Sequence, residues 1–99
     1  MKVDFVNQRL LENYKTSARA SRAWGPAVAR KYIQRVDILN ATHQFNDLYK
    51  IQSLRLHKLS GQRAGQFSIH LDIRWRLVFT YLEEENKILV EEVTNHYGD

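Results

Sequence analysis

Arg55, His57, Lys58, Arg74, Arg76 and His96 are side chains of the kinds that handle phosphate, and all lie in the second half of the sequence. The segment Leu54–Leu59 reads as a strand carrying Arg55, His57 and Lys58, and Arg74 and Arg76 are assigned to a second strand. His96 falls just past a last strand over Lys87–Thr94. Residues two apart on a strand share a face, so Arg55 pairs with His57 and Arg74 with Arg76. The opposite parity is apolar: Leu54 and Leu56 in one segment, Trp75, Leu77 and Phe79 in the other. A sheet with helices on its apolar side would present these cations and imidazoles on its open side. Guanidinium forks bind phosphate oxygens and stabilise charge that develops during in-line attack. An imidazole passes protons near neutral pH. Residue types alone more often mean ordinary exposed arginines on a strand face, a partly buried His57 bonded to backbone and a His96 in a frayed tail.

Other chemistries lack their residues. The glycines are Gly25, Gly61, Gly65 and Gly98, which form no phosphate loop. His43, His57, His70 and His96 show no His-Glu-x-x-His spacing, so no metal site is expected. No serine sits in a nucleophile elbow. With no cysteine there is no disulfide, thiolate nucleophile or thiolate-held zinc, and the composition suits a reducing cytosol. No apolar run is long enough to span a bilayer, and the charged start Met1-Lys2-Val3-Asp4 does not read as a targeting peptide.

Several elements must position the candidate residues. Met1–Val6 reads as a short first strand, and Asn7 as the cap of a helix to about Ser21 with Leu10, Leu11, Tyr14 and Ala18 on one stripe. Trp24-Gly25-Pro26 ends it, and Pro26 opens a second helix to about Asn40. Val28, Ala29, Tyr32, Ile33, Val36 and Leu39 form its inner stripe, while Arg30, Lys31 and Arg35 are assigned to its outer face. A helical turn is expected in Thr42–Tyr49, with Phe45, Leu48 and Tyr49 on one face. Phe67–Leu71 and Trp75–Tyr81 alternate with period two, joined by a turn at Asp72-Ile73, and Glu83–Asn86 turns into the last strand. The expected architecture is α+β: two N-terminal helices packed on a small, mostly antiparallel sheet. At 99 residues with 43% hydrophobic and 26% charged content, the chain is expected to form one domain over residues 1–99. Residues 1–76 carry a net charge of +9 and residues 77–99 carry −5, so the body of the chain is suited to a polyanion.

The order and spacing of three fragments carry a resemblance. Leu56-His57-Lys58-Leu59 with Gly61, Gly65 with Phe67-Ser68-Ile69, and Trp75-Arg76-Leu77-Val78-Phe79 together resemble the RelE/ParE toxin superfamily, most closely its HigB branch. The similarity covers about residues 54–97 and extends to the ending Thr94-Asn95-His96. It implies the RelE-like fold and a metal-independent, ribosome-dependent mRNA endoribonuclease that needs no cofactor. The ribose 2′-hydroxyl, a group that DNA lacks, would attack the adjacent phosphate.

By position, the resemblance implies that His57 transfers protons, that Arg76 stabilises the phosphorane, and that His96 is a second acid or base. Arg55, Lys58, Arg63 and Arg74 would hold the RNA backbone, with Thr94, Asn95 and Tyr97 in support. Many relatives carry Asp-Tyr before the terminal histidine, where this chain has Thr94-Asn95. The partners implied are a helix-turn-helix antitoxin of HigA type, the ribosome and mRNA, with DNA reached only through the antitoxin and no membrane. The location implied is the cytoplasm. Two alternatives share the fold: a ParE-like gyrase inhibitor, against which His57 and His96 weigh, and a binding module that has lost turnover.

Overall fold

A computed structural model describes residues 1–95. Its first strand, β1 (Lys2–Phe5), lies parallel to the last, β5 (Lys87–Thr94), with Val3 opposite Ile88 and Phe5 opposite Val90. Asn7 then caps helix α1 (Gln8–Lys15) by accepting the Leu10 N–H at 2.9 Å. The single helix expected to Ser21 is broken at Thr16, which is extended (φ −130°, ψ 104°), and α2 (Ser17–Trp24) follows. Threonine is stiff at Cβ and offers the backbone non-helical alternatives, so the Thr16-Ser17 pair is a natural breaking point. The break also changes the inner face: Ala20 is buried, while Ala18, assigned to the stripe, is exposed.

Gly25, at φ +85°, takes a left-handed conformation that costs glycine little, and Pro26 opens α3 (Pro26–Ala41) as expected. Val28, Ala29, Tyr32, Val36 and Leu39 are buried along α3. Arg35, assigned to the outer face, is instead only 6% exposed. Its long apolar stem follows the core edge, and its guanidinium donates from Nε to the His70 carbonyl (3.0 Å) and from Nη1 to Gln34 (2.8 Å).

The sheet order is β1-β5-β4-β3-β2, antiparallel apart from β1–β5. The remaining strands are β2 (His57–Lys58), β3 (Gln66–His70) and β4 (Arg76–Leu82). All three helices contribute to one side of this α+β fold, and Leu77, Phe79, Ile69, Ile88 and Val90 meet Tyr32, Val36 and Leu39 in one core. Tyr32 satisfies its buried hydroxyl by donating to the Leu10 carbonyl at 2.7 Å. The helical turn expected before the sheet is a 3₁₀ turn, Phe45–Lys50. It buries Leu48 and stacks Phe45 on Tyr81, but leaves Tyr49 exposed.

Two segments depart from the expected strands. Gln52–Leu54 forms a 3₁₀ turn that drives Leu54 fully into the core, and Arg55 then reverses the chain at φ 47°, ψ 53°. Only His57 and Lys58 pair with β3, so Arg55 shares no strand face with His57. The β3–β4 connection spans five residues rather than two. Asp72 accepts the N–H groups of Arg74 (2.8 Å) and Trp75 (3.0 Å) on one carboxylate oxygen. That Asx turn lets the poor turn residue Ile73 ride at the tip, 82% exposed. Arg74 is therefore in the turn, not on a strand with Arg76. No helix among the described residues is long and apolar enough to cross a membrane.

Candidate active site

The pleat sorts β3, β4 and β5 into two faces. Phe67, Ile69, Leu77, Phe79 and Val93 face the helices, so Ser68, His70, Arg76, Val78, Glu92 and Thr94 take the other side, where Ser68, Val78 and Thr94 are buried and His70, Arg76 and Glu92 half-buried. Register places them in two neighbouring rows. One row runs His57, Ser68, Val78, Glu92 across β2, β3, β4 and β5; the other runs His70, Arg76, Thr94 across β3, β4 and β5. Side chains directly opposed in such rows are about 5 Å apart at Cβ, and diagonal neighbours about 7–8 Å. His70 is thus opposite Arg76 and diagonal to His57. The structure gathers two imidazoles and a guanidinium on one patch of sheet.

The patch has its own electrostatics. Burial, followed by the positive charges of Arg76, Arg55, Arg35 and His57, holds the His70 imidazole below the usual histidine range. It is therefore neutral at pH 7 and able to accept a proton. Because the unfolded chain binds that proton more readily, His70 costs stability as pH falls below about 6.5. Chemical denaturation midpoints are expected to drop further for wild type than for His70→Gln between about pH 7.5 and about pH 5. Equal drops would show that His70 titrates as it does in the unfolded chain.

Arg76 is tied to the turn beside it. Its Nη1 donates to the carbonyls of Asp72 (3.0 Å), Trp75 (3.0 Å) and Ile73 (3.4 Å). This clamp fixes where the guanidinium lies on the open face. Arg63, in the 3₁₀ turn Gly61–Arg63 after β2, forms an ion pair with Glu92 of β5. Thr80 donates to Glu91 at 2.8 Å, at the bulge where the β4–β5 register skips one residue.

The remaining sequence candidates are dispersed. His57 is exposed on edge strand β2, and Lys58 takes the opposite parity, facing Phe67. Arg55 lines a cleft with His70 at the end of the sheet. Arg74 is exposed in the turn, Thr94 is buried opposite Arg76, and Asn95 is exposed beyond β5. His96 and Tyr97 lie outside the described residues. Among the described residues no cluster of three or more His, Asp or Glu side chains is placed to hold a metal.

A family model described as the RelE-like toxin HigB of type II toxin-antitoxin systems matches residues 3–97, nearly the whole chain. The chain belongs to the HigB-like toxin family.

Solved toxins share its fold at low identity. A YoeB/ParE toxin from Agrobacterium tumefaciens superposes with a TM-score of 0.62 at 14% identity, covering 98% of this chain and 100% of its own. A YoeB–YefM complex from Staphylococcus aureus gives 0.60 at 17% identity, covering 98% of each chain. YafQ from E. coli strain BL21(DE3) gives 0.59 at 11%, covering 93% of this chain and 89% of its own. No curated protein matches the sequence. In this HigB-like toxin the member of the patch that sequence reasoning did not single out is His70. Its signal was present: Phe67, Ile69 and Leu71 alternate with Ser68 and His70, which puts His70 on the open parity with Arg76.

Proposed function

We propose that this HigB-like toxin is a metal-independent, ribosome-dependent mRNA endoribonuclease. The observation that carries the reading is the patch of His57, His70 and Arg76 on the open face of the sheet. A neutral imidazole there takes the proton from a ribose 2′-hydroxyl, and O2′ attacks the adjacent phosphorus. The P–O5′ bond breaks, a protonated imidazole returns a proton to O5′, and a 2′,3′-cyclic phosphate is left on the upstream fragment. The guanidinium of Arg76 faces the charge that grows on the non-bridging oxygens. His70, held neutral, suits the base, and His57 suits the acid, with His96 kept as a further candidate from the family pattern. Arg55 and Arg74 supply positive charge for the RNA backbone near the patch, while Lys58 on the opposite parity of β2 and Arg63, paired with Glu92, add charge at its margins.

This reading places the protein in the cytoplasm with translating ribosomes, held in check by a HigA-like helix-turn-helix antitoxin. Among its structural neighbours are toxin–antitoxin complexes of S. aureus, which supports a cognate partner here. A second reading, a binding module without turnover, is favoured by the engagement of Arg76 and Arg63 in internal contacts.

Induced expression of wild type and His57→Ala, with mRNA 5′ ends mapped against reading frame, tests the proposal. New ends within translated frames that vanish in folded His57→Ala are expected. Growth arrest without new ends would favour a gyrase-directed or other inhibitor, and neither effect would favour the binding module.

A further inference from the structure

Between α3 and the β3–β4 turn lies a recess of about 390 Å3, lined by Lys31, Arg35, Ser53, Arg55, His70 and Asp72 among others. We infer that this cleft is a phosphate subsite, which holds a backbone phosphate of the RNA strand next to the one being cleaved. The inference rests on the nuclease reading above and adds to it a second anchoring point, built from residues of α3 and of the chain before β2.

Three features of the cleft ask for an anion. Its cations come from α3 (Lys31 and Arg35) and from the chain before β2 (Arg55), and none of the three has an ion-pair partner among the described residues. Arg35 is 6% exposed yet meets only neutral acceptors: the His70 carbonyl, the Gln34 amide oxygen and, at 3.4 Å, the Ser53 carbonyl. A buried charge satisfied only by dipoles is expensive, and a ligand that brings the opposite charge relieves that cost. The one carboxylate in the cleft, Asp72, is engaged with the Arg74 and Trp75 N–H groups through Oδ1, which leaves three cations against one acid.

The third feature is the backbone of Arg55. A left-handed conformation is uncommon in a residue with a long side chain, and here it turns the chain so that the guanidinium lines the cleft. Arg55 acts on His70 electrostatically together with Arg76 and His57. His70 therefore belongs both to the cleft and to the proposed cleavage patch. A strand whose scissile phosphate lies at Arg76 passes its neighbouring phosphate over Arg55 and Lys31. An acidic peptide has the right charge, but nothing would require it to run on to the imidazoles.

The test uses a short single-stranded RNA that is fully 2′-O-methylated, and so lacks the attacking hydroxyl. Its affinity is measured against salt concentration for wild type, Arg55→Gly and Lys31→Gln, with thermal unfolding followed in parallel. Arg55→Gly suits the purpose because glycine is at ease at φ 47°, so folding is retained while the guanidinium is lost. Each variant is expected to weaken binding roughly tenfold and to lower the salt slope by about 0.7, the share of one phosphate on a single strand. Unchanged affinity and slope in both folded variants would overturn the subsite. So would a wild-type protein that ignores the RNA but binds polyglutamate in an Arg55-dependent way, which would make the cleft a seat for an acidic peptide. RNA binding that depends on Arg55, with no cleavage of mRNA on ribosomes, would uphold the subsite and overturn the nuclease.

Discussion

Arg76→Ala is expected to lower mRNA cleavage by roughly two to three orders of magnitude, the usual cost of removing one donor aimed at developing oxyanion charge. The same substitution withdraws the donor that closes the Asp72–Trp75 turn on three carbonyls. A loss of about 1–2 kcal/mol of stability should accompany it, the turn being partly open to water. The two effects separate experimentally. Rates are compared well below the unfolding transition, and Arg76→Lys restores the charge without the planar fork. Arg76→Lys should recover no more than about a tenth of wild-type cleavage. Wild-type cleavage by a folded Arg76→Ala protein would reduce Arg76 to a turn clamp and remove it from the chemistry.

The imidazoles give the second large effect. His57→Gln and His70→Gln should each lower the rate by about two orders of magnitude or more, the range of a positioned acid or base. Their pH profiles should differ. The wild-type rate falls on the acidic side as His70 gains its proton, below the ordinary histidine range, and that limb should vanish in His70→Gln. A limb that survives in His70→Gln and vanishes in His57→Gln would exchange the two roles. The paired variant should lose less than the product of the single losses if both act in one transition state.

Much of this fold was legible because one side of each long element is buried and the other is not. The period-two alternation in Phe67–Leu71 and in Trp75–Tyr81 set the strands, and the 3.6-residue stripe from Val28 to Leu39 set α3. Misplaced residues are those whose position depends on tertiary packing. Leu54 belongs to the core, and the chain must turn sharply after it, which no propensity of arginine would suggest for Arg55. Arg35 is buried through its stem while its charge is met by a carbonyl thirty-five residues away, a partner invisible to local pattern. At the candidate site, the motif pointed to His57 and Arg76 as residue types worth watching. The register of β2 on β3 then placed them near His70, and register depends on turns that spacing alone did not define.

The pairing of β1 with β5 bears on how the molecule is made. Among the described strands β1 is synthesised first and β5 last, yet β1 has no neighbour among them other than β5. Until β5 has left the ribosome, the first strand has nowhere to pair, and Thr94 is missing from the row that contains Arg76. Such end-to-end pairing is slow to form, since the intervening loop must close before any contact repays it. A chain released before β5 would therefore lack the partner of β1 and the Thr94 end of the row, while β2, β3 and β4 keep their mutual pairing. For the nuclease proposed above, the row that holds Arg76 is completed only when β5 emerges, so the cleavage patch is the last part of the sheet to be assembled.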